Sequence, residues 1–188
     1  MGSYEEYLER SRKEFISTDD PDFHYHVDNL EHSRRVCLQL MDYRTTPEER
    51  DRLFEDLFGY KMPSGSQIVV PFNCDVGRNI RLGENNYFNY NCSILDVGIV
   101  TFGNDVMVGP NVTIIAVEHP RDADERHKGR IMGKDVTIGS KVWIGANAII
   151  MPGVTIGDYV TIGAGSVVTH DVPSHTTVVG SPARPVKK

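Results

Sequence analysis

Between Ile138 and Pro173 a branched apolar residue returns every six positions, at Ile138, Ile144, Ile150, Ile156, Ile162 and Val168. Glycine follows four of them, at Gly139, Gly145, Gly157 and Gly163, and Val142, Ala148, Val154, Val160, Ser166 and Val172 fill the fifth place of each unit. A six-residue period with one branched and one small residue predicts an all-β core, a parallel β-helix. Each unit makes a short flat strand and a turn, the first side chain points inward, and the small residue relieves crowding at the corner. Three units close one triangular coil, so residues 18 apart should stack at about the 4.8 Å strand spacing.

The pattern continues upstream through Ile114, Val108-Gly109 and Phe102-Gly103. A second register runs through Ile94, Phe88-Asn89, Leu82-Gly83 and Val76-Gly77, and the shift between the two lies at Gly98–Thr101, as a bulge or longer turn. Glu118–Lys134 is too polar and too charged to form a coil and should loop out of the helix.

Before the repeat, residues 4–15 and 28–58 read as helices, with a turn around Asp19–Asp22 and another at Thr45-Thr46-Pro47. Thr46, Pro47 and Glu49 form an N-cap, a first-turn proline and a capping-box acid. Leu53, Phe54, Leu57 and Phe58 make one apolar stripe that Gly59 closes. The expected organisation is an N-terminal helical cap over residues 1–60, a β-helix over 61–173 with an excursion at 118–134, and a basic tail over 174–188. The helices either cover the open strand edges of the first coil or also form a lid that shapes a substrate pocket.

A length of 188 residues with 39 % apolar content fits one domain, or one domain with an appendage. The net charge of −6 is concentrated at the start, where residues 1–60 hold 15 acids against 8 bases. No basic stripe is present, which argues against a nucleic-acid partner. Cys37, Cys74 and Cys92, without a signal peptide or an apolar run of membrane length, point to a reducing cytoplasmic compartment. Glu6 stands where a myristoylation pattern wants Ser or Thr. Cys74 and Cys92, 18 apart, should sit one above the other as small core residues; a metal pair would need two further ligands, so no metal is expected.

The helical start, PFNCDVGRNIRLGENNYFNYNCSILD, VMVGPNVTI, the His-Pro loop, Trp143 in its repeat and the GSPAR tail together resemble the hexapeptide-repeat acyltransferases. The likeness is greatest to the maltose, galactoside and nodulation-factor O-acetyltransferase group and covers nearly the whole chain. It implies a left-handed parallel β-helix, a homotrimer with an active site at each subunit boundary, acetyl-CoA as acyl donor, and a small-molecule acceptor, most simply a sugar. The left hand and the trimer come from the resemblance and not from the periodicity.

Moving an acetyl group from a thioester to an alcohol needs a base for the hydroxyl proton and a donor facing the carbonyl oxygen that becomes negative. His119 opens the excursion, titrates near neutrality as a residue type, and is held extended by Pro120. By resemblance it is the catalytic base. Asn89 has two readings: a corner residue tolerant of left-handed backbone, or, by resemblance, the amide that binds the acceptor and stabilises the transition state. Asp75 aligns with an acceptor-contacting polar residue and Tyr87 with an aromatic wall, each against a plain turn or packing role. Ala146 and Ala164, 18 apart, form a smooth strip on which a pantetheine arm can lie, and by resemblance they contact the donor, as do Thr169, His170, Arg184 and Lys187. Arg184 and Lys187 suit the phosphates of coenzyme A. Trp143 points outward, towards the donor or a neighbouring subunit.

The pattern departs from the galactoside enzymes in three places. Val97 follows Asp96 where those enzymes have a second acid, His24-Tyr25-His26 replaces an arginine-rich turn, and Ser17 aligns with an acidic acceptor contact. These changes bear on the acceptor and leave the base and donor positions intact. Two other classes compete. A zinc hydratase on the same β-helix needs three histidines meeting at a boundary, and His127, His170 and His175 do not fall at stacked spacings with His119. A non-catalytic trimerisation scaffold needs neither the His-Pro pair nor the basic tail.

Overall fold

The computed structural model describes residues 2–186. Two of the three N-terminal helices begin on a capping box. At α1 (Tyr4–Ser11) Ser3 and Glu6 bond each other's backbone N–H groups. At α3 (Pro47–Phe58) the Thr46 hydroxyl accepts from Glu49 N at 3.2 Å and the Glu49 carboxylate accepts from Thr46 N at 2.9 Å. Gly59, at φ +76°, ends α3 in the left-handed conformation that glycine adopts without strain.

Two boundaries differ from the sequence reading. Helix α1 stops at Ser11 and not near 15, because Ile16 leaves helical structure to form a β-bridge with Ile131. Helix α2 (His24–Leu40) starts four residues earlier than expected, so His24-Tyr25-His26 are its first turn and not a loop. The preceding turn is compact: Arg10 holds both Asp20 and Asp22, and Asp20 accepts from Asp22 N.

Eighteen short strands follow among the described residues, and all but three of them stack as the faces of a left-handed parallel β-helix of about six turns. One face carries Gln67–Ile68, Tyr87–Phe88, Met107–Val108, Trp143–Ile144, Thr161–Ile162 and Thr177–Val179, with Arg184–Pro185 turned back antiparallel on its end. A second carries Phe72–Cys74, Cys92–Leu95, Thr113–Ile115, Ile149–Ile150 and Val167–Val168, and a third Ile80–Arg81, Val100–Phe102, Val136–Ile138 and Thr155–Ile156. The first residue of each six-residue unit points inward as expected: Ile138, Ile144, Ile150, Ile156 and Ile162 are each at most 1 % exposed. At roughly 1.5–3 kcal/mol per buried aliphatic side chain, this column is the main stabilising feature of the coils. Phe54 and Phe58 of α3 close its open end edge-on against Phe72, with ring centroids 6.4 and 6.2 Å away.

The stacking interval is not constant, which corrects the sequence reading. It is 18 residues between Ile138 and Val168, as in Ile144 over Ile162, but 20 in the first coils, where Ile68 pairs with Phe88 and Phe88 with Val108, and 16 in the last, where Ile162 pairs with Val178. Cys74 therefore lies beside Ile94, and Cys92 beside Phe72; the two cysteines do not stack. Cys74 faces Cys37 of α2 instead, and the two thiols influence each other. Asp75, although 18 residues before Ser93, is likewise not its neighbour, which is Asn73.

All the extra residues enter at one corner. Ile94 to Phe102 is two residues longer than Ile150 to Ile156, which occupies the same corner in a regular coil, and the excursion between Ile114 and Ile138 leaves from that corner too. The excursion is not a plain loop. Val117–Glu118 and Met132–Gly133 pair antiparallel at its neck, and α4 (Ala123–His127), capped by Asp122, forms its tip. Helices α1 and α2 pack on the same corner, with the Tyr4 hydroxyl donating to Asn79 Oδ1 at 2.9 Å and the Ser33 hydroxyl to the Asp75 carbonyl at 2.7 Å.

Candidate active site

Strand register puts Tyr87, Met107, Trp143 and Thr161 in one outward ladder. At the corner that follows, Asn89, Gly109-Pro110, Gly145-Ala146 and Gly163-Ala164 stack in the same order, and ladder and corner together line an apolar groove of about 450 Å³. Backbone packing forces the small residues: a Cβ on Gly145 would lie 2.5 Å from Ala164 N, and one on Gly109 2.7 Å from Ala146 N. Ala146 and Ala164 are consequently low, partly exposed steps along a narrow track, shaped for a thin flexible chain. Met107 and Pro110 line it as well, and sequence reasoning passed over them. The signal was available, since Met107 is the outward residue one coil from both Tyr87 and Trp143.

At one end of the groove the Asn89 side-chain Oδ1 accepts from Tyr90 N at 2.8 Å. That bond turns the amide so that its NH₂ is the end left to donate, which is the group needed opposite a developing oxyanion. At the other end of the coils the Thr169 hydroxyl lies 2.8 Å from His170 Nδ1, and His170 and Arg184 line a separate depression of about 280 Å³ with Asp171 and Pro173. Trp143, Ala146 and Ala164 thus share the groove with Tyr87 and Asn89, while His170 and Arg184 sit apart, past the last full coil. Lys187 lies outside the described residues.

His119 follows the neck strand Val117–Glu118, exposed, with Nδ1 3.1 Å from the Arg130 carbonyl. A carbonyl can only accept, so Nδ1 carries a proton, and in the neutral ring the lone pair is then on Nε2, the form a general base requires. Ser17 lies on the stretch that bridges to Ile131, beside the excursion. His119 is not among the groove residues. It leaves the coil at the corner on one edge of the five-stranded face, and Asn89 stands at the corner on the other edge. Among the described residues no three His, Cys, Asp or Glu side chains gather as a metal-binding set, His127, His170 and His175 included.

Asp75 and Asp96 stack at the corner from which the excursion leaves. Asp96 is fully buried; its Oδ1 accepts from Asp75 N at 3.0 Å and Val76 N at 2.9 Å, and its Oδ2 has no partner among the described residues. Burial pushes its carboxyl up to about 7, against the lowering effect of the Val76 N–H. Burial also raises Asp75, with Arg34 pulling it down. A carboxyl raised in the folded chain binds its proton more tightly there than when unfolded. Its stabilising contribution is complete below the ordinary value of 3.8 and is lost as the pH rises to about 7. Between about pH 4 and pH 8 the wild type should therefore lose on the order of 3–4 kcal/mol of unfolding free energy relative to Asp96→Asn, whose amide does not titrate. Urea unfolding across that range checks this, and parallel curves for the two proteins would refute the assignment.

A family model described as a bacterial transferase hexapeptide of six repeats matches residues 135–170. Nodulation protein L of Rhizobium meliloti (strain 1021) is 54 % identical over 120 residues, 64 % of this chain and 66 % of its own length. The structure of a maltose O-acetyltransferase from Clostridium difficile 630 superposes with a TM-score of 0.84 at 39 % identity, covering 96 % of both chains. A galactoside acetyltransferase in complex with coenzyme A gives a TM-score of 0.85 at 30 % identity, over all of this chain and 92 % of its own.

Proposed function

The chain belongs to the hexapeptide-repeat acetyltransferases, and from that premise we propose that it moves an acetyl group from acetyl-CoA to a hydroxyl of a sugar or similar small molecule. The observation that carries this reading is the His119 imidazole, held by Nδ1 on a backbone carbonyl with Nε2 free, in a chain whose other face bears a narrow apolar track.

The steps follow from those groups. Acetyl-CoA lies along the Ala146–Ala164 track with its pantetheine arm against the backbone, and Arg184, past the last full coil, offers a cation for its phosphates. Nε2 of His119 takes the acceptor hydroxyl proton as the oxygen attacks the thioester carbonyl. The Asn89 NH₂ donates to the oxygen that becomes negative. The tetrahedral species then collapses, the C–S bond breaks, and the thiolate of CoA leaves with the proton that His119 had accepted. No covalent acyl-enzyme is needed, so both substrates are bound at once.

In this reading one chain supplies the base and its neighbour the groove, which the placement of His119 and Asn89 at opposite edges of the five-stranded face supports. This is the arrangement of a trimer with one site at each boundary. Asp75, Tyr87 and Ser17 contact the acceptor in this reading, and Val97 removes one acidic contact to it.

Calorimetric titration with acetyl-CoA tests the donor half. The wild type should bind, and Ala146→Trp, which fills the track from a partly exposed position, should bind at least roughly tenfold more weakly with little change in melting temperature. Absence of binding to the wild type would remove the transferase reading altogether.

A further inference from the structure

The N-terminal stretch Arg12–Ile16 makes contacts that neither covering the first coil nor lining the groove explains. Ile16 N donates to the Ile131 carbonyl at 2.8 Å and Ile131 N returns a bond to the Ile16 carbonyl at 3.0 Å, with both side chains buried. The neighbour of Ile131 is Arg130, whose carbonyl holds His119 Nδ1. Four residues on, Arg12 grips Asp135 as a two-pronged fork, Nε to Oδ1 at 2.8 Å and Nη2 to Oδ2. The same Oδ1 accepts from Ile99 N of the coil at 2.9 Å. Asp135 therefore ties the returning limb of the excursion to the coil and to the end of α1 at once.

These ties matter because the other bond from the N-terminal stretch to the excursion, Thr18 Oγ1 to the Lys128 carbonyl, is long at 3.5 Å and exposed. The neck ladder is two residues long, Val117–Glu118 on Met132–Gly133, and α4 at the tip buries no residue. The ion pairs of Glu125 with Arg130 and Lys128 stay within the excursion and cannot set its position relative to the coils. A short ladder with an exposed tip opens at low cost, so a carbonyl between them is placed only as well as its outer neighbours are.

We propose that Arg12 and Ile16 are positioning residues for His119: through Asp135 and Ile131 they fix the Arg130 carbonyl, and that carbonyl fixes the imidazole in its Nδ1–H form. The inference rests on His119 as the base only for its kinetic consequence. Its structural content is the tautomer, which can be read without turnover.

The experiment compares the full-length wild type, Arg12→Ala and Arg12→Lys by two readouts. In ¹⁵N-histidine NMR, with the His119 signals identified from His119→Ala, the wild type should show a protonated Nδ1 and a bare Nε2. Arg12→Ala should move towards a mixture of both tautomers, and Arg12→Lys, keeping one tie to Asp135, should lie between. In kinetics, Arg12→Ala should lose about tenfold in kcat while KM for acetyl-CoA stays within about twofold, since the donor track is on another face, and added methylguanidine should return part of the loss. An unchanged His119 tautomer in Arg12→Ala overturns the inference even if His119→Ala is inactive. A changed tautomer beside a fully active His119→Ala upholds it and removes only the base assignment. The Lys variant, which keeps the charge, decides the matter if Arg12→Ala does not fold.

Discussion

Replacing His119 by alanine should lower kcat by about 10²–10⁴-fold and leave acetyl-CoA affinity nearly unchanged. The affinity should hold because His119 is on the excursion and none of its atoms lines the groove. The loss is large because no second histidine of the excursion stands beside His119. His119 is exposed, its Nδ1 is committed to the Arg130 carbonyl, and the other histidine of the excursion, His127, is on the α4 tip. Steady-state turnover and a calorimetric titration on one preparation of the variant make the comparison. Near-normal turnover would sink the assignment. A loss of turnover together with a loss of donor affinity would point to a damaged fold and not a missing base.

Asn89→Ala should cost about 10²–10³-fold in kcat, the usual effect of removing one donor from an oxyanion site. The side chain is partly exposed, and its one described bond is to the neighbouring Tyr90 N, so the fold should tolerate the change. The sharper result comes from mixing. If each site takes its base from one chain and its groove from another, His119→Ala and Asn89→Ala subunits assembled together at equal ratio should recover about a quarter of wild-type activity, because that share of boundaries joins two intact halves. Each variant alone should remain at its low level. No recovery on mixing would place His119 and Asn89 in one site within one chain, against their separation across the five-stranded face.

Much of this chain was legible without its structure. The repeat from Ile138 to Val168 fixes which side chains point inward, because in a coil of short strands each residue's neighbours are set by a constant step along the chain. Thr46 with Glu49 marked the start of α3 for an equally local reason, since a cap bonds residues three apart. The candidate donor residues Trp143, Ala146 and Ala164 fall in one groove because they too lie within the regular coils.

The step fails as a guide where a coil takes in extra residues. The sequence showed a register shift near Gly98–Thr101, yet 18-residue stacking led to a Cys74–Cys92 pair that the 20-residue early coils do not form. Only the folded chain shows that the long turn after Cys74, the long turn after Ile94 and the excursion leave by one corner. Only there does Asp96 become a buried carboxyl under Asp75. The ends of α1 and α2 were misread for the same reason. Ile16 is drawn out of helix by Ile131, more than a hundred residues away, a competition that local propensity does not register. Sequence by itself thus determined the solenoid, its inward column, the track of small residues and the histidine to examine. Tertiary structure decided the corner from which that histidine emerges, the separation of His119 from Asn89, and the hold of Arg12 and Ile16 on the excursion, because each depends on contacts between segments that no periodicity relates.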